Sequence, residues 1–274
     1  MIPGGLCVVH YFWAAVLGAV QGVAELLPIS SSGHLALLHY FLSLGDSVLR
    51  TTVVLHIGSL FGIVLYFVAE RFRRKHTNEA EKWLGMTPRL ACFVICSFVV
   101  TGVVGKLLKP RVEEAFGSPV AVAVALVINA GILLTIRGLR SGRKSIGDVG
   151  VGSAVLIGLA QGLAVAPGIS RFGLTFLAAR ILGFESREAA RYSLILSAPT
   201  IAAVAAYELM KGGVTAPWPL LATGVAVAAV AAWLATAAVM AWVRRPMFYY
   251  ACAGWCLLVG CVVLLTLGNP TWMA

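Results

Sequence analysis

The sequence predicts an all-α protein, a polytopic transmembrane helical bundle of two inverted-topology repeats, each with a re-entrant helical hairpin. Three observations predict it. Hydrophobic residues make up 60% of the 274 residues and charged residues only 12%, about half the share of a typical soluble domain. The apolar residues fall in runs near the ~20 residues that cross a bilayer, broken by short polar clusters. A set of polar and glycine positions recurs at a fixed offset of 140 residues. One membrane domain spans 1–274, with repeat one at about 6–136 and repeat two at about 151–268.

In chain order, long apolar segments are expected near 6–27, 53–69, 90–108, 118–136, 151–166, 192–209, 218–243 and 247–268. The first is too long for the apolar core of a cleavable signal and contains Glu25. Two segments, near 35–44 and 174–182, run to only about ten residues and cannot cross. Each follows a break, Pro28-Ile29-Ser30-Ser31-Ser32-Gly33 in one case and Pro167-Gly168-Ile169-Ser170 in the other. A helix, a break and a short helix read as a hairpin that enters the membrane and returns. Irregular backbone at that depth survives only where protein or water satisfies its polar groups, so both breaks are expected to face a cavity.

The repeat aligns Gln21-Gly22-Val23-Ala24 with Gln161-Gly162-Leu163-Ala164, Ile29-Ser30 with Ile169-Ser170, and Gly33 with Gly173. The charges suggest that the halves run in opposite senses. Loop 70–89 holds six basic residues, whereas its counterpart 210–217 holds Lys211 alone. Under the positive-inside rule the first is cytoplasmic and the second outside. Of the 21 basic residues, fifteen then fall inside and five outside, with Arg171 in the second break. The net charge of +10 is thus a matter of topology, and no nucleic-acid partner is expected; the basic loops suit anionic headgroups. Inverted repeats with broken helices put a site near the midplane, where the breaks meet. The six cysteines lie in apolar stretches without a CxxC spacing and read as small core residues.

Chemistry concentrates in the breaks. Glu25 is the only acidic residue before Asp46, and a carboxylate inside an apolar helix is a functional-site hypothesis by default. Gln21, one turn back, shares its face. Together they offer oxygens to a hard divalent cation, Mg²⁺ or Ca²⁺. Ser30, Ser31, Ser32 and Gly33 open a short helix whose free N–H groups suit a phosphate; capping accounts for one serine, not three. Ser31 is the candidate nucleophile and His34 the candidate acid or base. The second break adds Ser170, Arg171 and Thr175. A guanidinium grips two phosphate oxygens at once; a salt bridge to Glu25 is the other reading of Arg171. His39 and His56 read as packed, with 56–59 and 197–200 as cavity lining, and Glu208 as snorkelling outward. Carboxylate, hydroxyls, imidazole and guanidinium together are what phosphoryl transfer needs.

At these residues the chain resembles a known family. Gln21-Gly22-Val23-Ala24-Glu25-Leu26-Leu27-Pro28-Ile29-Ser30-Ser31-Ser32-Gly33-His34 and Pro167-Gly168-Ile169-Ser170-Arg171-Phe172-Gly173-Leu174-Thr175 look like the two signatures of the BacA-type undecaprenyl-diphosphate phosphatases. The resemblance covers nearly the whole chain. It implies hydrolysis of undecaprenyl diphosphate to undecaprenyl phosphate, recycling the carrier lipid of bacterial cell-wall synthesis. It further implies a multi-pass protein of the bacterial plasma membrane, a divalent cation and reduced bacitracin sensitivity. By position it makes Glu25, Ser31, His34, Ser170, Arg171 and Thr175 active-site residues. Two positions depart. Gln21 takes the amide option where many members have Glu, and Phe172 stands where a second serine is usual.

The expected partner is a polyprenyl diphosphate lipid, with the site opening to the extracytoplasmic side and a homodimer left open. A second class is kept alongside, a polyprenyl-phosphate flippase, because inverted repeats with broken helices recur in transporters. Another membrane phosphatase superfamily, with its Ser-Arg motif followed by a histidine, is excluded: no histidine follows Arg171.

Overall fold

A computed structural model of the chain describes residues 4–42, 46–74, 87–140, 142–210 and 217–267. The side chains of Arg50, Arg74, Lys75, Lys82, Glu208 and Lys211, on which the charge tally and the snorkelling reading partly rest, lie outside the described residues. Among the described residues the regular structure is helical throughout. In order come α1 (Gly4–Leu26), α2 (Ser31–Leu42), α3 (Asp46–Arg74), α4 (Pro88–Phe116), α5 (Pro119–Gly138), a 3-10 turn (Ile146–Asp148), α6 (Val151–Leu163), α7 (Arg171–Ile181), α8 (Ser186–Met210), α9 (Trp218–Trp242) and α10 (Pro246–Leu267). Six stretches among the fully described residues are long and apolar enough to cross a membrane, within α3, α4, α5, α8, α9 and α10. Large apolar side chains such as Phe72, Leu107 and Leu265 stand exposed around the bundle, as lipid-facing residues do and soluble surfaces rarely allow.

Helix starts follow the local sequence. Thr87 and Ser118 accept the N–H groups of Leu90 (3.1 Å) and Ala121 (3.2 Å), each with proline at the first helical position, where a missing donor costs nothing. Three expectations of length are corrected. The segment near 151–166 is a helix of only 13 residues, about 20 Å long and too short to cross a ~30 Å core. Its chain leaves the helix at Ala164, because the residues before Pro167 are biased out of the α region and Gly168 then takes φ +102°. Both arms of the second hairpin are therefore short, whereas α1 runs for 23 residues. In the other direction, α4 continues to Phe116 through Pro110, and α8 begins at Ser186 and passes through Pro199.

Small residues let the helices meet. A Cβ at Gly22 of α1 would come within 2.8 Å of Ala231, and one at Gly62 of α3 within 2.6 Å of the Ala232 Cβ, so α1 and α3 both lie against α9 and run parallel to it. In the other half, α6 lies against α4 at Gly158 and Ser97, and α8 joins them through Tyr192–Ser97 (2.8 Å) and Gln161–Thr200 (2.8 Å). Each half thus lends its later helix to the other half's hairpin. The counterparts α5 and α10 are antiparallel, with Ala123 against Gly260 and Asn129 against Cys256. This packing is compatible with two inverted repeats.

Segments 139–140, 142–150, 182–185 and 243–245 gather at one end. Lys144 and Phe184 form an isolated bridge, Arg180 donates to Ser186 and to the Leu139 carbonyl (2.9 Å), and Arg244 pairs with Glu185 (2.8 Å). Arg73 at the end of α3 and Arg187 at the start of α8 line a pocket at the same end. The segments richest in basic residues therefore share one face.

Candidate active site

The first break is a sharp reversal. α1 ends at Leu26, Ser30 takes φ +71°, and α2 starts at Ser31. A non-glycine residue in that region is uncommon and costs of order 1–3 kcal/mol, so the surroundings must hold it there. They do so through both ends of Ser30. Its hydroxyl oxygen accepts the N–H groups of Gly33 (3.3 Å) and, across the interface, of Gly168 (3.1 Å). Its carbonyl accepts from the His34 backbone (3.3 Å). A Cβ on Gly33 would lie 2.8 Å from the Gly168 Cα, so the two breaks touch backbone to backbone only because both positions are glycine.

Asn129, fully buried in α5, spans the two breaks. Its amide donates to the Pro28 carbonyl (2.9 Å) and accepts the Ser170 N–H (2.9 Å). One amide thereby satisfies a backbone group from each reversal, as membrane-depth irregular backbone requires. Ser170 in turn caps α7 by accepting the Gly173 N–H (3.0 Å).

Around this junction Glu25 gathers four groups. It accepts the Ser31 hydroxyl at 2.6 Å and the Gln21 amide at 3.1 Å. The His56 ring lies 3.5 Å away and the Arg171 guanidinium 3.6 Å. One Arg171 nitrogen (Nη1) and the Gln21 carbonyl oxygen are buried with no partner, so the site keeps one strong donor and one acceptor uncommitted. Ser30, Ser31, Ser32, Ser170, Arg171 and Glu25 line a common pocket of about 20 Å³, room for about one water. The sequence-predicted residues are thus brought together, with three exceptions. Gly33 serves as the contact with Gly168. Thr175 turns its hydroxyl back to the Arg171 carbonyl (2.9 Å). His34 faces Trp255 of α10 (2.7 Å) rather than Ser31.

Two residues escaped the sequence reading of the site, and a third was read only as cavity lining. Asn129 is the one amide in an otherwise apolar stretch of α5, a signal that was available. His56, read as packed with 56–59 lining the cavity, faces Glu25. Trp255 is one of seven tryptophans, and nothing in its local sequence marks it.

Among the described residues no three His, Cys, Asp or Glu side chains cluster as a metal site. Gln21 gives its amide nitrogen to Glu25 and leaves its carbonyl oxygen buried without a partner, so a hard cation at this site would draw on that oxygen and the Glu25 carboxylate.

The fold and site define an integral membrane protein whose two hairpins close on a serine hydroxyl, a buried carboxylate and a guanidinium. The chain belongs to the BacA family: the model of Bacitracin resistance protein BacA matches residues 14–262. It is similar to proteins named Undecaprenyl-diphosphatase. One from Gemmatimonas aurantiaca is 36% identical over 269 residues, covering 94% of this chain and 98% of that protein. Another, from Geotalea daltonii, is 37% identical over 268 residues, covering 93% and 97%. A third, from Geobacter sulfurreducens, is 38% identical over 245 residues, covering 86% and 91%.

Proposed function

We propose that the chain hydrolyses undecaprenyl diphosphate to undecaprenyl phosphate and inorganic phosphate. The observation that carries the reading is the Ser31 hydroxyl held 2.6 Å from Glu25, with Arg171 3.6 Å from the same carboxylate. Glu25 takes the Ser31 proton as Oγ attacks the terminal phosphorus. The P–O bond to the bridging oxygen breaks, and that oxygen leaves with undecaprenyl phosphate. A water then attacks the phosphoserine: the P–O bond to Ser31 breaks, Oγ takes back the proton held by Glu25, and inorganic phosphate leaves with the oxygen and protons of the water. If water attacks the substrate directly, Glu25 and Ser31 orient it instead. Arg171 offers its free Nη1 to the phosphoryl oxygens, where charge develops. Ser30, Ser32 and Ser170 line the same pocket, and the start of α2 favours an anion. Thr175, which back-bonds to Arg171, supports the turn that carries the guanidinium. His34 acts on substrate or water rather than on Ser31.

A divalent cation, Mg²⁺ or Ca²⁺, would be held by Glu25 and the Gln21 oxygen. It would offset charge on the phosphoryl group. Every residue invoked comes from one chain, so the reading requires no second copy. We place the protein in the bacterial plasma membrane with the basic face cytoplasmic and the site opening to the other side. There it would recycle the carrier lipid and lower sensitivity to bacitracin. A flippase is not favoured: the named relatives share a phosphatase name, and a transporter has no use for a serine on a buried carboxylate.

The test is phosphate release from undecaprenyl diphosphate by the purified protein in detergent. The reading expects release, with label from the terminal phosphorus trapped on the Ser31 peptide if the route is covalent. A pure flippase releases none.

A further inference from the structure

Both ring nitrogens of His34 are engaged. Nδ1 lies 2.8 Å from the Ser30 carbonyl oxygen, which can only accept, so Nδ1 carries the proton. Nε2 lies 2.7 Å from the Trp255 indole nitrogen, which can only donate, so Nε2 turns its lone pair to the indole. The two assignments agree on one neutral tautomer. The two ring planes are inclined by 8°, with centroids 6.1 Å apart. With the nitrogens at 2.7 Å, that is the side-by-side geometry of an in-plane N–H···N bond, not face stacking.

This has a consequence for the chemistry. Nδ1 is turned to the backbone of the first break, so Nε2 is the atom through which His34 can accept a proton from a water or a P–OH. Nε2 becomes available only when the Trp255 N–H leaves it. Trp255 is 47% exposed on α10, so little packing opposes its movement, and His34 sits on α2, across the bundle interface from it.

We propose that Trp255 is a positioning residue that latches His34: its indole N–H holds the Nε2 lone pair until another donor, a water beside the lipid diphosphate or a P–OH of its terminal phosphate, takes its place. The identity of the displacing group rests on the phosphatase reading; the latch itself does not. A contact made in the free protein and given up in the complex opposes binding and leaves the later steps alone. Losing it should therefore lower KM and spare kcat. One neutral hydrogen bond corresponds to about a two- to tenfold effect.

The test is Trp255→Phe, which keeps an aromatic body and removes the donor, with Trp255→Leu as a second variant lacking it. In the purified full chain, diethyl pyrocarbonate modification of His34 is followed by peptide mass spectrometry, with His10 as internal reference. His34 should react about two- to tenfold faster in both variants, with His10 unchanged. With the lipid diphosphate, KM should fall by a similar factor at unaltered kcat. An unchanged His34 modification rate, or a fall in kcat, overturns the latch. If the wild type releases no phosphate, the phosphatase reading falls and the modification rates still decide the latch.

Discussion

Replacing Asn129 by alanine should do more damage than its distance from the reacting atoms suggests. The side chain is fully buried and makes one hydrogen bond to each break, to the Pro28 carbonyl and from the Ser170 N–H, both at 2.9 Å. Alanine leaves two buried backbone groups unsatisfied. Each costs about 1–3 kcal/mol, so the loss is about 2–6 kcal/mol, concentrated where Ser31 and Arg171 are aligned. Asn129→Asp separates the two bonds. It still accepts from Ser170 but presents an oxygen to the Pro28 carbonyl, so it should fall in the same range with the first break displaced. The assay is unfolding of the purified variants in detergent, read beside phosphate release. A variant as stable and as active as the wild type would refute the bridging role, and the junction would then be held by Gly33 and Gly168 alone.

The remaining predictions concern the site and its orientation. Arg171→Lys keeps the charge but loses the forked donor, so it should lose most turnover while still inserting and folding; near-wild-type turnover would make Arg171 a general positive charge. Gly33→Ala would bring a methyl 2.8 Å from the Gly168 Cα and should part the breaks, lowering phosphate release more than helix content by circular dichroism. Chelation with EDTA should reduce turnover if Gln21 and Glu25 hold a cation, with recovery on adding Mg²⁺ or Ca²⁺; unchanged turnover would remove the cation from the account. Cysteines introduced in 75–86 and 211–216 should label from opposite sides of the membrane, and labelling from one side would refute the inverted arrangement.

Much of this was legible because the membrane imposes a simple rule on sequence. A run of ~20 apolar residues must cross, and a run of ten after a break of proline, serine and glycine must turn back, which is how the α1–α2 and α6–α7 hairpins were recognisable. The boundaries were less so. The segment near 90–108 was ended before Pro110, yet α4 runs through it to Phe116, since neighbouring groups can re-satisfy a membrane helix around proline; α8 starts at Ser186, ahead of the segment near 192–209, because its first turns carry charged residues that hydropathy passes over. The second hairpin's first arm was read too long because Val165 and Ala166 are apolar, and hydropathy does not see the bias imposed by Pro167. At the site, motif spacing brought Glu25, Ser31 and Arg171 to mind together. It did not orient them. Ser31 and His34 share a helical spacing, yet Ser30 and Trp255 take both ends of the imidazole and leave Ser31 to Glu25. Such partners come from helices far away in sequence, and no local pattern announces them.

The central claim is that Glu25 takes the proton from Ser31, and Glu25→Gln tests it most directly. The amide keeps the shape and the contact with Ser31 but is no base. Steady-state phosphate release by the folded Glu25→Gln protein should fall roughly 10²–10⁴-fold, the contribution of a positioned general base. Turnover near that of the wild type, in a variant of unchanged fold, would contradict it.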